Sequence, residues 1–227
     1  MTIATWGLAT LLAAGPGQAT GPADAARLLS LMKAANASVV DLKCTFRFQV
    51  TKNGKEFPRH HAILRLRSEP ETIHMTFVEP YKGRKVLYVK GQNHGKLRVR
   101  PGGFWKFLVV SLDPEGEQAM EGAIDPLTAQ GFPNVVRRAE EILEGARGGG
   151  DCLVSVDWNV EGEKGVYARL RIAGPGVGEM TLLVDQATYF PFQIVKRKGR
   201  NGATYTYENI QLNPGMKDSE FTVSAKR

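Results

Sequence analysis

Between Leu42 and Leu212 the chain breaks into about eleven short runs, most with an apolar residue at every second position, the period of a half-buried strand. Leu42, Cys44, Phe46, Phe48 and Val50 alternate with Lys43, Thr45, Arg47, Gln49 and Thr51. Cys152, Val154, Val156, Trp158 and Val160 alternate with Ser155, Asp157, Asn159 and Glu161. Ala62, Leu64 and Leu66 are set against Arg65 and Arg67, and Ile73, Met75 and Phe77 follow. Val166, Ala168, Leu170 and Ile172 alternate with Tyr167, Arg169 and Arg171; then come Met180, Leu182 and Val184, Phe192 with Ile194, and a last run near Ala203 to Leu212. Further strands are expected near Lys85 to Lys90, Lys96 to Arg100 and Phe104 to Val110. Side chains in a strand point to alternate faces, so these runs predict one large antiparallel sheet with an apolar face that must be covered.

Two segments carry the helical period instead. Pro22 to about Ala37 places Leu28, Leu31, Met32 and Ala35 on one face, with Pro22 suited to the first turn. Pro133 to about Glu144 offers Val135, Val136, Ala139, Ile142 and Leu143 as an apolar stripe, ended by Gly145 and the glycines 148–150. This second helix is expected to cover the sheet and to hinge on those glycines. Asp113 to Gly122 reads as an acidic, turn-rich loop, and Asp125-Pro126 as a helix start. Asn53-Gly54 and Gly199 to Gly202 mark tight hairpins. The helical insert is too short to hold a core of its own, which predicts a single domain over residues 20–227.

Of the 227 residues, 30 are Lys or Arg and 23 Asp or Glu, a net charge of +7. The basic residues are spread over strand faces and no nucleic-acid-binding motif is present, so no nucleic acid is expected as partner. Six arginines do recur in pairs two apart on the polar parity: Arg65 and Arg67, Arg98 and Arg100, Arg169 and Arg171. They predict either a solvated outer face or a basic convex surface that meets an anionic membrane. At the N-terminus, Ile3 to Ala14 is uncharged, apolar and too short to span a bilayer, and Gly15 to Ala19 is a small-residue segment suited to cleavage. This predicts a signal peptide over residues 1–19, hence export to the periplasm or cell envelope, although no Lys or Arg precedes the apolar stretch.

Catalytic chemistry finds little support. The histidines, His60, His61, His74 and His94, show no ligand spacing and read as surface or edge residues; no metal and no cofactor are expected. Ser111 and Asp113 lack a nucleophile elbow and read as a strand end entering a turn. The glycine-rich stretches 145–150 and 174–178 lack the ending of a phosphate loop. Cys44 and Cys152 lie on the apolar parity as small buried hydrophobes, with a disulfide open if the chain is exported. Phe104, Trp105 and Phe107 are either core or a lipid-facing rim.

Several short motifs recur in a definite order: Glu79-Pro80, the run Lys82 to Val89, Ser111 to Gly116, Ala119 to Gly122 and Asp125-Pro126-Leu127. Tyr205 to Ile210, Leu212 to Asp218 and Phe221 complete them. In this order the chain resembles the DUF1571 family of bacterial proteins, and more broadly the lipoprotein-carrier fold of the LolA and LolB proteins. Where the family pattern has Arg-His before the proline, this chain has Ile124-Asp125, so any role of that basic pair is in doubt. The resemblance implies a mainly β (α+β) fold: a large curved antiparallel sheet of about eleven strands forming a half-barrel, with helices lidding the concave face. It brings no established activity.

The expected function is therefore non-catalytic. A monomer would bind a hydrophobic ligand, a lipid or lipoprotein acyl chains, in the half-barrel cavity. The cavity is expected to be lined by Phe46, Phe48, Leu64, Leu66, Met75, Phe77, Val154, Val156, Trp158, Leu170 and Leu182 from the sheet, with Val136 and Ile142 from the second helix. The rivals are an envelope scaffold or adaptor whose sheet is filled by its own side chains, and an unrecognised enzyme.

Overall fold

The computed structural model describes residues 21–105, 107–147, 152–175 and 178–224. The expected signal segment 1–19 and the glycines 148–150 lie outside the described residues. Helix α1 (Pro22–Ala37) comes first, with the bounds that Pro22 and the apolar stripe predict. Its buried face is Ala25, Leu28, Leu29 and Met32, turned slightly from the predicted one because Leu31 and Ala35 stay half-exposed. Strands β1 (Asp41–Lys52), β2 (Lys55–Glu56), β3 (His60–Arg67), β4 (Thr72–Glu79), β5 (Lys85–Val89), β6 (Leu97–Arg100) and β7 (Val110–Leu112) follow. Helix α2 (Phe132–Arg147) then precedes β8 (Leu153–Gly162), β9 (Gly165–Gly174), β10 (Gly178–Asp185), β11 (Pro191–Lys198) and β12 (Asn201–Leu212).

All twelve strands join one curved, unclosed sheet in the order β7-β6-β5-β4-β3-β1-β12-β11-β10-β9-β8, with the stub β2 on β1. Every pairing is antiparallel. The long strands β1 and β12 pair from Leu42↔Leu212 to Thr51↔Gly202 and so weld the two halves of the chain together. The predicted register holds: Phe46, Leu64, Val156, Leu170 and Leu182 are buried on the concave face, Phe48, Leu66, Val154 and Trp158 half-buried there, and Arg47 is exposed opposite them. Both helices join the core on that face; Val135, Val136, Ala139, Ile142 and Leu143 of α2 are all buried, as the stripe predicts. Phe132 anchors α2 through ring contacts with Phe190 (5.2 Å) and Tyr207 (5.0 Å).

Four local expectations are overturned. Phe104 to Val110 is not a strand: residues 103–105 make a 3-10 turn and β7 spans three residues. Asp125-Pro126 starts no α-helix, only a single 3-10 turn at Leu127–Ala129, because the Asp125 carboxylate is spent on β11 and β12 rather than on capping. Asn159, with φ of 59°, makes a bulge in β8, so Val160 pairs with Tyr167 and leaves the concave parity. In β9 it is Tyr167, against the Phe192 ring at 5.1 Å, that is buried, while Val166 is exposed.

The largest departure concerns the convex face. Asn213 and Gly215, at φ of 51° and 72°, turn the chain after β12. The buried Asp41 carboxylate accepts hydrogen bonds from the backbone N–H groups of Met216 (2.7 Å) and Gly215 (3.3 Å). The C-terminal segment 214–224 then crosses the outer face of β3 to β6 and builds a second small core of Leu87, Met216, Phe221 and Val223. Arg67 donates to Asp218 (2.6 Å) and to the Met216 carbonyl (2.9 Å), with its guanidinium over the Phe221 ring; Arg65 faces Glu220 at 3.7 Å. Arg100 is buried and donates to the Ser224 carbonyl. On β9, Arg169 is buried against Asp157 at 2.8 Å. Only Arg98 and Arg171 of the six arginines are exposed, so the set is neither a solvated stripe nor a continuous basic surface.

Candidate functional site

The concave face is not filled evenly. The main core fills its middle beneath α1 and α2, a hollow lies at one end, and at the other a cavity of about 200 Å³ remains. Its floor is Phe46, Phe48 and Val50 of β1, Met75 and Phe77 of β4, Val86 of β5, Leu97 and Val99 of β6 and Tyr205 of β12. These positions converge because each lies on the concave parity of its strand. The roof is an irregular strap from Leu112 to Gln130, contributing Leu112, Pro114, Ala119, Gly122, Ala123 and Leu127, with Phe57 beside it. At Gly122 a β-carbon would approach the Phe57 ring to 3.3 Å, so a glycine lets the strap lie close.

The strap is held by few polar contacts. The Asp125 carboxylate accepts from Lys196 Nζ and from the Tyr205 hydroxyl, both at 2.9 Å. Lys52 Nζ donates to the Met120 carbonyl at 2.8 Å. Burial, and then the charge of Asp125, push the Tyr205 phenol well above its ordinary range, so it is a permanent donor to that carboxylate. The strap, and not α2, is the cover of this cavity: among the described residues, none of Phe132–Gly145 lines it.

One end of the cavity is polar. His60 is 6% exposed and stacks on Phe48 at 4.4 Å, with Phe77 and Tyr81 close by. Arg84 lies over the Tyr81 ring at 4.0 Å. Burial, then the Arg84 charge, lower the His60 pKa below its ordinary value, against a hydrogen bond with the Pro58 backbone that raises it. His60 is thus no surface residue, contrary to expectation; nor is His74, which lies 1% exposed on the convex face beneath Phe221. Burial first, then Arg65, Lys85 and Arg100, push the His74 pKa down to about 3.

Of the residues expected to line the cavity, the structure brings together Phe46, Phe48, Met75 and Phe77. Leu66 borders a second hollow of about 380 Å³ at the opposite end of the sheet, with Val39, Ile73 and Phe132. Leu64, Val156, Leu170, Leu182, Val136 and Ile142 are packed inside the main core, and Val154 and Trp158 lie half-buried against it. Sequence reasoning missed His60, Tyr81, Arg84, Asp125 and Tyr205. The signal for His60 was its parity, shared with Ala62, Leu64 and Leu66; Arg84 shares parity with Val86.

The described residues hold no group of three or more His, Cys, Asp or Glu placed to bind a metal. Cys44 and Cys152 are both free thiols. Burial pushes the Cys44 thiol up to about 12, which keeps it inert. No helix of the described residues is long and apolar enough to cross a membrane.

An unclosed antiparallel sheet curled over an apolar cavity, with helices on its concave side, defines a half-barrel class. Solved structures with this fold include MucB, with 14% identity and a TM-score of 0.54 over 89% of this chain and 64% of that one. An uncharacterised conserved protein from Thermus thermophilus has 11% identity and a TM-score of 0.52, over 87% and 92% of the two chains. The Mycobacterium tuberculosis lipoprotein LppX has 12% identity and a TM-score of 0.51, over 87% and 99%. No curated protein matches the chain. Residues 39–175 match the family described as "Protein of unknown function (DUF1571)", and the chain belongs to that family.

Proposed function

We propose that the protein is an exported, non-catalytic carrier that holds an apolar chain in the cavity between β1, β4 to β6 and the strap. The observation that carries this reading is an apolar cavity roofed by an irregular segment with few polar anchors. A roof of that kind can lift without unfolding the sheet, since loops with few buried contacts open at low free energy. Burying a ligand methylene there contributes about 0.8 kcal/mol, with no demand on chain identity. At about 200 Å³ the closed cavity is below the ~300–1,000 Å³ of common ligand pockets, so it suits a short or medium chain unless the strap moves.

Membrane contact would fall to the loop between β6 and β7. Phe104 is 81% exposed, with Trp105, Phe107 and Leu108 beside it, and this loop leads through β7 into the strap. Aromatic rings at such a place favour a lipid interface. Residues 1–19 would be removed on export. The adaptor reading keeps support from the main core that fills the middle of the sheet beneath α1 and α2.

Displacement of a fluorescent fatty-acid probe separates the two. The carrier reading expects saturable binding that Ala123→Trp, which fills the cavity from its roof, weakens at least tenfold while the protein stays folded. No binding of any apolar probe would leave the adaptor.

A further inference from the structure

The polar end of the cavity contains cationic capacity that the fold does not use. Arg84 lines the cavity, yet among the described residues its side chain has neither a carboxylate partner nor a hydrogen bond. Its Nε is buried without a partner, and the guanidinium rests on the Tyr81 and Phe77 rings at 4.0 and 5.9 Å. Beside it the buried His60 leaves its Nδ1 unpartnered as well. A buried polar nitrogen left unpaired costs about 1–3 kcal/mol, more when charged, so the Arg84 nitrogen is expensive unless an oxyanion pairs with it, and the neutral His60 adds a hydrogen bond in the tautomer that puts its proton on Nδ1.

Two acids also line the cavity, and neither meets this need. Asp125 is committed to Lys196 and Tyr205. Glu121 is exposed on the strap and makes no ion pair among the described residues. Phe48, Phe77, Met75 and Val86 supply apolar wall, and Gln118 and Gln130 are the neutral polar residues of the lining. The site thus sets a positive end at Arg84 beside an apolar trough of Phe48, Phe77 and Met75.

We propose that the cavity takes a single-chain amphiphile with an oxyanion head group, a carboxylate or a phosphate, held by Arg84 beside His60, its chain running over Phe48, Phe77 and Met75. This rests on the carrier reading above and narrows it to a ligand class. The Tyr81 ring, 4.0 Å from the guanidinium carbon, limits where the group can swing, and a guanidinium fork can receive two oxygens at once. Burial lowers the His60 pKa most; the Arg84 charge lowers it further, and an oxyanion would relieve that second effect.

The test compares four twelve-carbon ligands on the full chain by isothermal calorimetry: dodecanoate, dodecyl phosphate, dodecanol and dodecyltrimethylammonium. Both anions should bind roughly 10- to 100-fold tighter than dodecanol, the factor carried by a charge-assisted hydrogen bond. The cation should bind weakest, and the better of the two anions identifies the head group. Arg84→Gln should bring anion and alcohol to the same affinity. Equal binding of dodecanoate, dodecyl phosphate and dodecanol by the unmodified chain overturns the inference and leaves the carrier reading intact. So does an anion preference that survives in a folded Arg84→Gln variant. If Arg84→Gln does not fold, the comparison on the unmodified chain decides. Failure of all four to bind removes the carrier reading and this inference with it.

Discussion

His74 should make the fold acid-labile in a way that one substitution removes. The ring is held on β4 between Arg65 of β3 and Leu87 of β5, beneath Phe221 of the C-terminal segment. The charged groups around it are Arg65, Lys85 and Arg100, with Glu220 already facing Arg65. Unfolded, the imidazole has its ordinary value of 6.5; folded, it is held at about 3. The folded form therefore keeps the ring neutral while the unfolded chain takes up a proton below about pH 6.5. Stability is complete above that value and falls by about 1.4 kcal/mol per pH unit down to the folded value. At about pH 5 the loss from this one residue is about 2 kcal/mol. His74→Leu extends the apolar patch of Leu87, Met216 and Phe221 and removes two ring nitrogens that have no hydrogen-bond partner. Urea unfolding at neutral pH and at about pH 5 measures the effect for both proteins. Other groups titrate alike in the two, His60 included, so the difference between them isolates His74. The same loss in the variant as in the parent would refute the assignment of a buried, neutral His74.

Asp125→Ala should loosen the strap rather than the sheet: losing two charge-assisted hydrogen bonds of about 1.5–3 kcal/mol each raises local opening at least tenfold. Hydrogen exchange over residues 113–130 checks this, and unchanged rates would mean that the strap is held by its apolar contacts. Tyr207→Phe should stabilise the protein by about 1 kcal/mol, because the fully buried Tyr207 hydroxyl has no partner. Thermal unfolding tells, and a clear loss of stability would contradict it. Ile142→Asp should cost about 3–5 kcal/mol, since it forces a carboxylate into the α2 seam. Because α2 does not line the cavity, probe affinity of the folded fraction should remain, as binding at a permissive temperature would reveal.

Much of this architecture was legible because a period of two is a local signal. Each strand announces its own concave residues, and shared parity is enough to assemble Phe46, Met75 and Phe77 at one floor. Parity says which face a residue takes; it does not say what covers that face. Leu170 and Phe77 lie on the same side of the same sheet, yet one is sealed in the core and the other borders a cavity. That difference is set by where α2 ends its coverage and the strap begins, which depends on contacts far apart in sequence, such as Asp125 with Lys196.

The convex face shows the same limit more sharply. Polar parity made Arg65, Arg67 and His74 look solvated, and on an uncovered sheet they would be. The C-terminal segment reverses this through one turn: Asn213 and Gly215 adopt positive φ, and Asp41, 175 residues before Met216, receives the turned backbone. An Asn-Pro-Gly-Met run after a last strand signals a turn, but the destination of the chain beyond it is a tertiary fact. Once the segment arrives, the arginines gain their partners from it: Asp218, Glu220 and the carbonyls of Met216 and Ser224. Cations placed two apart along β3 are thus sites for a strap on the outside of the sheet, while Arg84, on the inside, remains unpaired. The contrast between matched cations outside and an unmatched one within is what directs attention to the cavity wall as the place where a ligand supplies the missing charge.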